Sequence, residues 1–345
     1  MKSILVLGAT GNLGAYISLH FQKLGWRVIA ASRRKDDNGF FADYDIPYYS
    51  VDLKDKNSFN QLPTDIDVVA DFAGDLPASM EGYHGEKYID SIITGTYNVL
   101  EWIRMNHIPR IIFPQTLFDV HYLFGSRDPI SADAEKRVPI EGDHQMYVIA
   151  KIAAVEMIEM YHREFGLERF IVRLSKVYQY HPNHYTFTDG KKCLINDWFF
   201  ISKAEKGEPI EIWGDPTRIL ETCHVEDFLQ IIEKCAIANH DGGIYNIGSG
   251  GSSLDERIRT IIDVFAVDGK KSEISYAPEK PLCSQYVLDI TKTKNELGYE
   301  PKYNWRDYCV WLKNERKVQR FAKIWGTEED YSLIENELPK KTFTE

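Results

Sequence analysis

The first 175 residues alternate short, continuous apolar runs with longer stretches whose apolar residues recur at helical spacing. Continuous apolar runs are typical of strands buried on both faces of a parallel sheet, and the periodic stretches are typical of the helices that connect such strands. The predicted strands are 3–7, 28–31, 48–51, 68–72, 110–113 and 170–174, and the predicted helices are 13–24, 92–105 and 147–161. The alternation predicts an α/β fold with a Rossmann-type doubly wound parallel sheet.

The character of the chain changes after Tyr178, where His, Pro, Asn and Gly fill residues 181–190. We interpret the remainder as a smaller C-terminal substrate-binding lobe. A helix at 225–236 and a strand at 244–247 return to the first sheet in this interpretation. The predicted dinucleotide-binding domain is therefore 1–178 plus about 222–248. The substrate-binding lobe is 179–221 and 249–330, and 331–345 is a peripheral tail.

Composition and charge exclude some functions. The net charge of −11 argues against a nucleic-acid partner, because phosphate contacts need a concentrated basic surface. The five cysteines (193, 223, 235, 283 and 309) form no C-x-x-C pair, which is typical of reduced thiols, and no metal-ligand spacing is present. The apolar N-terminal run of four residues is too short for a signal peptide or a membrane span. We expect a cytoplasmic protein with no membrane partner and no metal.

A glycine-rich segment follows the first predicted strand and precedes the first predicted helix. Its glycines permit a tight turn and close backbone approach, and the free N–H groups of the helix N-terminus face a bound anion. The segment predicts a dinucleotide pyrophosphate site at Gly8, Thr10, Gly11, Asn12, Leu13 and Gly14.

The end of the second strand, where NAD-binding proteins place a carboxylate for the ribose 2′-hydroxyl, holds Ser32, Arg33 and Arg34. Guanidinium groups suit a 2′-phosphate, because they offer charge-assisted hydrogen bonds. This pattern favours NADP(H) over NAD(H); two solvated surface arginines are the alternative. Asp52 and Leu53, after the third strand, are predicted to lie near the adenine, although an ordinary turn explains them nearly as well.

The chain contains three Tyr-x-x-x-Lys matches, which begin at Tyr83, Tyr147 and Tyr276. Only the match of Tyr147 with Lys151 lies in a sustained helical pattern, where residues four apart share a face. We expect the Lys151 ammonium to lower the pKa of Tyr147 from about 10, which would make the phenol a usable acid and base. The fifth strand leads to Thr116, whose hydroxyl would lie beside that tyrosine.

These motifs together resemble the extended short-chain dehydrogenase/reductase family, and within it the NAD(P)-dependent epimerase/dehydratase group. The resemblance extends from residue 1 to about 313. Further segments that carry it are Gly95-Thr-Tyr-Asn-Val-Leu, Arg173-Leu-Ser-Lys-Val-Tyr, Gly207-Glu-Pro-Ile, Trp213-Gly-Asp-Pro, His224-Val-Glu-Asp, Tyr245-Asn-Ile-Gly and Asp289-Ile-Thr-Lys. The resemblance implies a catalytic Thr116, Tyr147 and Lys151, with the dinucleotide also bound by Phe72, Ala73, Gly74, Leu174 and Val177. It also implies a homodimer built on the helices that contain Ile92 and Tyr147.

The chain departs from this family at positions that would contact substrate. Leu117 and Phe118 follow Thr116 where dehydratases carry an acid pair, which argues against 4,6-dehydration. Lys176 replaces a usual asparagine and would suit an anionic group, unless it extends to solvent. The arginines that usually hold a nucleotide diphosphate are absent, although some basic and polar residues lie nearby. Ile92 also replaces a common asparagine. The candidate substrate-binding residues are Gln115, Lys176, His184 and Arg218, with His181, Asp119 and His121 as weaker candidates.

Three functions follow from these observations. The first is an NADP(H)-preferring enzyme of the epimerase/dehydratase type, which transfers hydride at a carbinol carbon of a sugar-like substrate, either nucleotide-activated or anionic. The second is an NADPH-dependent carbonyl reductase with an exchanging cofactor. The third is a non-catalytic NADP(H)-sensing protein, against which the intact Thr116, Tyr147 and Lys151 set argues. The acidic run at 328–330 is expected to be a solvated surface.

Overall fold

A computed structural model describes residues 1–139, 141–142, 144–281 and 284–335. Its centre is a seven-stranded parallel sheet. The strands and helices are β1 (Ser3–Leu7), α1 (Asn12–Lys23), β2 (Arg27–Ser32), β3 (Tyr48–Ser50), β4 (Val68–Asp71), α2 (Gly85–Tyr88), α3 (Gly95–Met105), β5 (Arg110–Thr116), α4 (Gln145–Phe165), β6 (Glu168–Leu174), β7 (Val177–Tyr178), β8 (Tyr185–Thr188), β9 (Lys191–Leu194), α5 (Asn196–Lys206), β10 (Ile210–Trp213), β11 (Ile219–Glu221), β12 (Cys223–His224), α6 (Val225–Ile237), β13 (Gly242–Ile247), β14 (Gly251–Ser253), α7 (Leu254–Phe265), β15 (Ile274–Ala277), α8 (Thr291–Leu297), α9 (Trp305–Val318), α10 (Ala322–Trp325) and α11 (Glu328–Glu335).

The strand order across the sheet is β13-β6-β5-β4-β1-β2-β3. The order reverses between β1 and β4, and in sheets of this kind ligands bind at the carboxyl ends of the strands beside the reversal. The predicted doubly wound parallel sheet is therefore confirmed. The predicted strand at 244–247 belongs to β13, the last strand of this sheet.

The two faces of the sheet form two separate cores, and β1 shows why its sequence is continuously apolar. Ile4 and Val6 pack on one face with α1, α6 and α8, while Leu5 and Leu7 pack on the other face with α3 and α4. Because successive strand residues point to opposite faces, a strand covered on both sides needs an apolar residue at every position.

A third core lies outside the sheet. It joins α5, α7, α9 and β10 through residues such as Trp198, Ile258, Trp305 and Tyr308. These elements come from 196–213 and 254–318, within the ranges expected to form the second lobe. The short helix α10 packs instead on the α1 side of the sheet, where Ile324 and Trp325 belong to the first core.

Several elements differ by a few residues from their predicted ends, and two of these differences have a clear structural basis. The helix predicted at 92–105 begins earlier, because a π-helical turn at Ile89–Thr94 runs into α3. The fifth strand extends past the predicted 113 to Thr116 and includes Pro114. Proline is tolerated there because pairing with β4 ends at Ile112, so Pro114 lies beyond that part of the ladder.

Candidate active site

The glycine-rich loop joins β1 to α1 at the carboxyl edge of the sheet, and its shape requires glycine at two positions. Gly8 has a φ of +78°, and a Cβ there would lie 2.7 Å from the carbonyl oxygen of Phe72, the residue that follows β4. A Cβ on Gly14 would lie 2.2 Å from the carbonyl oxygen of Gly8. Contacts this short cannot form, so the loop packs against α1 and β4 only without side chains.

A cavity of about 460 Å³ opens in front of this loop. The predicted dinucleotide-binding residues that line it are Gly8, Thr10, Gly11, Ser32, Arg33, Arg34, Asp52, Leu53, Phe72, Ala73 and Gly74. The predicted residues that do not line it are Asn12, Leu13, Gly14, Tyr147, Lys151, Leu174 and Val177. Six further lining residues were not predicted: Leu7, Ala31, Val51, Lys54, Asp75 and Ser91. Each of them lies at or shortly after the carboxyl end of a strand, or on a helical turn beside those ends. These positions surround the carboxyl edge of a parallel sheet.

The end of β2 places a hydroxyl and two guanidinium groups at this cavity. The Ser32 hydroxyl is hydrogen-bonded to the hydroxyls of Thr10 at 2.9 Å and Tyr48 at 2.7 Å. The Arg33 side chain is 64% exposed and lies 3.7 Å from the Asp75 carboxylate. Arg34 instead donates a hydrogen bond to the backbone carbonyl of Ile324, near the C-terminus.

The predicted catalytic side chains come together where β5 ends against α4. Thr116 and Tyr147 share a hydrogen bond, and each is 8% exposed. Lys151, one helical turn after Tyr147, donates a hydrogen bond to the carbonyl oxygen of Pro114 at 2.9 Å. The Tyr88 ring packs edge-on against Tyr147, with ring centroids 5.7 Å apart. The three side chains therefore share one buried corner at the carboxyl edge of the sheet.

The pKa of Tyr147 differs from the prediction. We expected the Lys151 ammonium to lower it, but burial raises it, the neighbouring Tyr88 raises it further, and the Thr116 hydrogen bond opposes the rise. Burial lowers the pKa of Lys151, and the carboxylate of Asp71 opposes that shift. In this arrangement Tyr147 holds its proton at neutral pH, because desolvation disfavours the phenolate.

The other two Tyr-x-x-x-Lys matches do not form such a corner. Tyr83 is 75% exposed, close to a helix of only four residues that contains Lys87. Tyr276 bonds to Asp255 on α7, and Lys280 is paired with Glu211. Their tyrosines lie on the surface.

The candidate substrate residues occupy different environments. Gln115 is buried, and its amide oxygen accepts a hydrogen bond from the backbone N–H of Thr116 at 2.8 Å. Lys176 is paired with Asp197, and its ammonium lies 4.8 Å from the centroid of the Tyr178 ring. Arg218 lies half-buried in the turn before β11.

His184 and the acidic run interact with each other, which the sequence did not predict. The His184 ring stacks on Trp198, and its Nε2 lies 3.8 Å from a Glu328 oxygen. Burial lowers the pKa of His184 to about 3, so this ring is neutral at physiological pH. Glu328 also pairs with Arg316 at 3.1 Å and is 22% exposed. The expectation of a solvated acidic run is therefore wrong for Glu328.

The weaker candidates lie in separate environments. Asp119 is buried and forms two hydrogen bonds with the guanidinium of buried Arg173, at 2.8 and 3.1 Å. The His181 ring packs against Trp325, and burial lowers its pKa to about 4. His121 is exposed. Ile92, in the place of a family asparagine, packs beside Gly74.

Besides the six unpredicted cavity residues, the sequence analysis missed Asp71 and Trp325. Asp71 ends β4 fully buried, and burial raises its pKa while Lys151 opposes the rise. A charged residue inside the predicted apolar strand at 68–72 was the available signal. Trp325 contacts the glycine-rich loop from the far end of the chain, and no local pattern indicated that contact.

Two features are absent from the described residues. No group of three or more His, Cys, Asp or Glu side chains there has the geometry to hold a metal ion. None of the helices in those residues is long and apolar enough to cross a membrane.

The sequence profile of the NAD-dependent epimerase/dehydratase family matches residues 4–248, a range that contains the glycine-rich loop and the catalytic corner. A Haloferax volcanii protein, low-salt glycan biosynthesis protein Agl12, is 26% identical over 317 residues, which cover 88% of this chain and 95% of that protein. A dTDP-glucose 4,6-dehydratase from Haemophilus influenzae is 24% identical over 341 residues, covering 88% and 94% of the two chains.

Among solved structures, the UDP-glucuronic acid 4-epimerase from Bacillus cereus in complex with NAD aligns with a TM-score of 0.69. The alignment covers 92% of this chain and all of that one, at 18% identity. This likeness concerns the fold.

Proposed function

This chain belongs to the NAD-dependent epimerase/dehydratase family, and we propose that it is an NADP(H)-preferring enzyme that transfers hydride at a carbinol carbon of a sugar-like substrate. We propose that this substrate is nucleotide-activated or otherwise anionic. The observation that carries the proposal is the shared corner of Thr116, Tyr147 and Lys151, which lies at the same carboxyl edge of the sheet as the cavity in front of the glycine-rich loop.

The cavity residues fit a dinucleotide. Gly8 and Gly11 leave the loop free of side chains at the N-terminus of α1, where backbone N–H groups and the helix dipole favour a pyrophosphate. Ser32 to Arg34 and Asp52 to Leu53 would hold the adenosine half, and Ala73 and Gly74 the middle of the molecule. When bound, the nicotinamide supplies the hydride acceptor or donor.

The side chains of the corner would transfer and hold the proton of the reacting hydroxyl. Tyr147 holds its proton in this environment, so it can donate that proton to an oxygen as a carbonyl is reduced. In the opposite direction Tyr147 must first lose the proton. The Thr116 hydrogen bond favours that loss, because it lowers the pKa of the phenol. Lys151 supplies a positive charge four residues away on the same helix face.

The preference for NADP(H) is supported by the end of β2. Ser32 takes the place where a carboxylate would repel a 2′-phosphate, and Arg33 presents an exposed guanidinium at the cavity. An exposed guanidinium can form charge-assisted hydrogen bonds with phosphate at little cost in desolvation. Asp75 lies near Arg33, at a distance of 3.7 Å, and a bound phosphate would compete with it.

Relatives named for nucleotide-sugar reactions support a sugar nucleotide as substrate. Two features of the chain qualify the reaction. Leu117 and Phe118 follow Thr116, so the acid pair of 4,6-dehydration is missing at that point. Lys176, which pairs with Asp197, lies between Leu174 and Val177, two residues expected to contact the dinucleotide, and would meet an anionic group of the substrate. An epimerase-type internal redox cycle fits these features better than dehydration.

We also propose a homodimer formed by α3 and α4. Both helices keep large apolar side chains exposed on their outer faces: Tyr97, Met105, Ile149, Met160 and Phe165. Large apolar side chains exposed in this number on two neighbouring helices are typical of protein interfaces. The four described cysteines are free thiols, which fits a cytoplasmic location.

The test combines mass spectrometry of nucleotide released from denatured protein with titrations of the emptied protein by NADPH and NADH. The loaded protein is then incubated with UDP-glucose, UDP-glucuronic acid and dTDP-glucose. A tightly retained dinucleotide and conversion of a sugar nucleotide without net cofactor oxidation are the expected results. Stoichiometric NADPH consumption would favour the carbonyl reductase, and binding without turnover of any carbonyl or carbinol would favour the sensor. Failure to bind either dinucleotide would overturn the proposal.

A further inference from the structure

A short segment near the C-terminus, Phe321 to Trp325, crosses the α1 face of the sheet and contacts the glycine-rich loop. We call this segment the strap. The Trp325 indole N–H donates a hydrogen bond to the backbone carbonyl of Thr10 at 2.9 Å. Trp325 is 5% exposed, and its ring packs on Phe321 and Tyr16, with centroids 4.2 and 6.0 Å away. The strap lies outside the residues matched by the family profile.

This hydrogen bond holds one end of the peptide unit between Thr10 and Gly11 in the loop. The N–H of Gly11, at the other end of the Thr10–Gly11 peptide, donates to the carbonyl of Gly8 at 2.8 Å. Because a peptide unit is planar, bonds at both ends set its orientation. The backbone N–H groups of the first turn of α1 come directly after this peptide. The orientation of the peptide therefore sets the direction in which they point.

The strap also contacts the segment after β2. Arg34 donates to the Ile324 carbonyl, and the Asn38 amide donates to the Lys323 carbonyl at 2.7 Å. The Lys323 ammonium pairs with Asp43. The strap therefore contacts the glycine-rich loop and the segment after β2, two of the segments that line the cavity.

The strap is itself held by α11 and by the loop after β7. The Tyr331 hydroxyl donates to the Trp325 carbonyl at 2.9 Å, and Glu328 connects α11 to Arg316 on α9. The His181 ring, in the loop after β7, packs on Trp325 with centroids 4.6 Å apart. Residues on both lobes thus determine where the indole lies.

We infer that the strap is part of the dinucleotide site, in which Trp325 positions the phosphate-binding peptide and the Ile324 carbonyl positions Arg34. This inference rests on the proposed dinucleotide binding. A loop that is already in its binding geometry loses less conformational entropy when the ligand arrives, so the hydrogen bond strengthens binding without touching the ligand. A guanidinium held at one N–H keeps its other N–H groups for a phosphate.

The test is Trp325→Phe, which keeps an aromatic ring and removes the indole N–H. Trp305→Phe is the matched control, because Trp305 is equally buried and its indole N–H also donates to a backbone carbonyl, that of Arg257 at 3.2 Å in the second lobe. Both variants lose one buried hydrogen bond of the same kind. Only Trp325→Phe alters the glycine-rich loop.

Three measurements compare wild type and the two variants, all with emptied protein: dissociation constants for NADPH and NADH by calorimetry, hydrogen exchange of residues 8–14 without ligand, and the dinucleotide concentration that restores half of the maximal activity. Trp325→Phe is expected to weaken both dinucleotides by roughly 3- to 10-fold, the effect of one net hydrogen bond. The half-restoring concentration should rise by a larger factor than the maximal rate falls, and exchange at 8–14 should accelerate. Trp305→Phe should leave all three at wild-type values.

Each alternative outcome is informative. Unchanged dinucleotide affinity in Trp325→Phe would overturn the inference, whether or not exchange accelerates. An equal loss of affinity in Trp305→Phe would do the same, because the effect would then come from general destabilisation. If the wild-type protein bound neither dinucleotide, the proposed function would fail together with this inference, a result distinct from normal binding by both variants.

Discussion

The buried ammonium of Lys151 and the buried carboxylate of Asp71 lie on the same face of the sheet, and each stabilises the charge of the other. The register of β4 and β5 explains the placement. Ala70 pairs with Ile112, so Asp71 lies one step further, beside Phe113, whose ring centroid is 4.3 Å from the Lys151 ammonium. Burial alone would favour the neutral forms of both groups. The charge of Lys151 therefore depends on Asp71.

Asp71→Asn should shift the pH dependence of the reaction. Without the carboxylate, burial lowers the pKa of Lys151 further, so the ammonium is lost at a lower pH than in the wild type. The fall of kcat/KM at alkaline pH should then begin at a lower pH than in the wild type, while kcat/KM on the acidic side stays unchanged. Asp67→Asn is the control, since Asp67 precedes the same strand at the opposite edge of the sheet. An alkaline limb that stays where it is would show that Asp71 does not support Lys151.

Tyr147→Phe should abolish turnover while leaving the dinucleotide bound. We propose this phenol as the proton donor in the corner with Thr116, and loss of a positioned acid or base reduces rates by about 10²- to 10⁴-fold. Initial rates and NADPH titrations measure the two effects separately. Tyr83→Phe is the control, because Tyr83 begins another Tyr-x-x-x-Lys match but is 75% exposed. Near-normal turnover by Tyr147→Phe would refute its assignment.

Arg33→Ala should discriminate between the two dinucleotides. Loss of a charged hydrogen bond to a 2′-phosphate should weaken NADPH binding by roughly 1.5–3 kcal/mol and barely affect NADH. Calorimetric titrations with both cofactors give the difference. Arg27→Ala removes a guanidinium from the opposite end of β2 and serves as the control. Equal losses for NADPH and NADH in Arg33→Ala would contradict a phosphate-binding role.

Gly14→Ala should damage the loop itself. The added Cβ would lie 2.2 Å from the Gly8 carbonyl oxygen, so α1 must move away from the loop, at a cost of about 1–3 kcal/mol in the free energy of unfolding. Dinucleotide affinity should fall as well, since the loop N–H groups move with α1. Gly243→Ala is the control, because a Cβ there meets no atom closer than 3.5 Å. Denaturant unfolding and NADPH titration measure both effects, and a Gly14→Ala protein with wild-type values would exclude the close packing.

Local sequence determined the elements and the motifs of this protein. The apolar run in β1 predicts a strand covered on both faces, because every residue of such a strand meets a core. The glycine spacing predicts the loop, because only glycine permits the contacts that Gly8 and Gly14 make. Tyr147 and Lys151 share a helix face, because four residues make about one turn of an α-helix. Each of these inferences depends on neighbours in the chain.

Tertiary structure decided the electrostatics and the enclosure of the site. The pKa of Tyr147 rises because of burial in the folded chain, and the charge balance of Lys151 depends on Asp71, 80 positions earlier in the sequence. The Thr10 carbonyl is bonded by Trp325, 315 residues away. Desolvation and contacts of this kind depend on which distant segments the fold brings together, and no local periodicity encodes them. The sequence by itself thus determined the sheet, the loop and the family, while the fold decided how the site is held and charged.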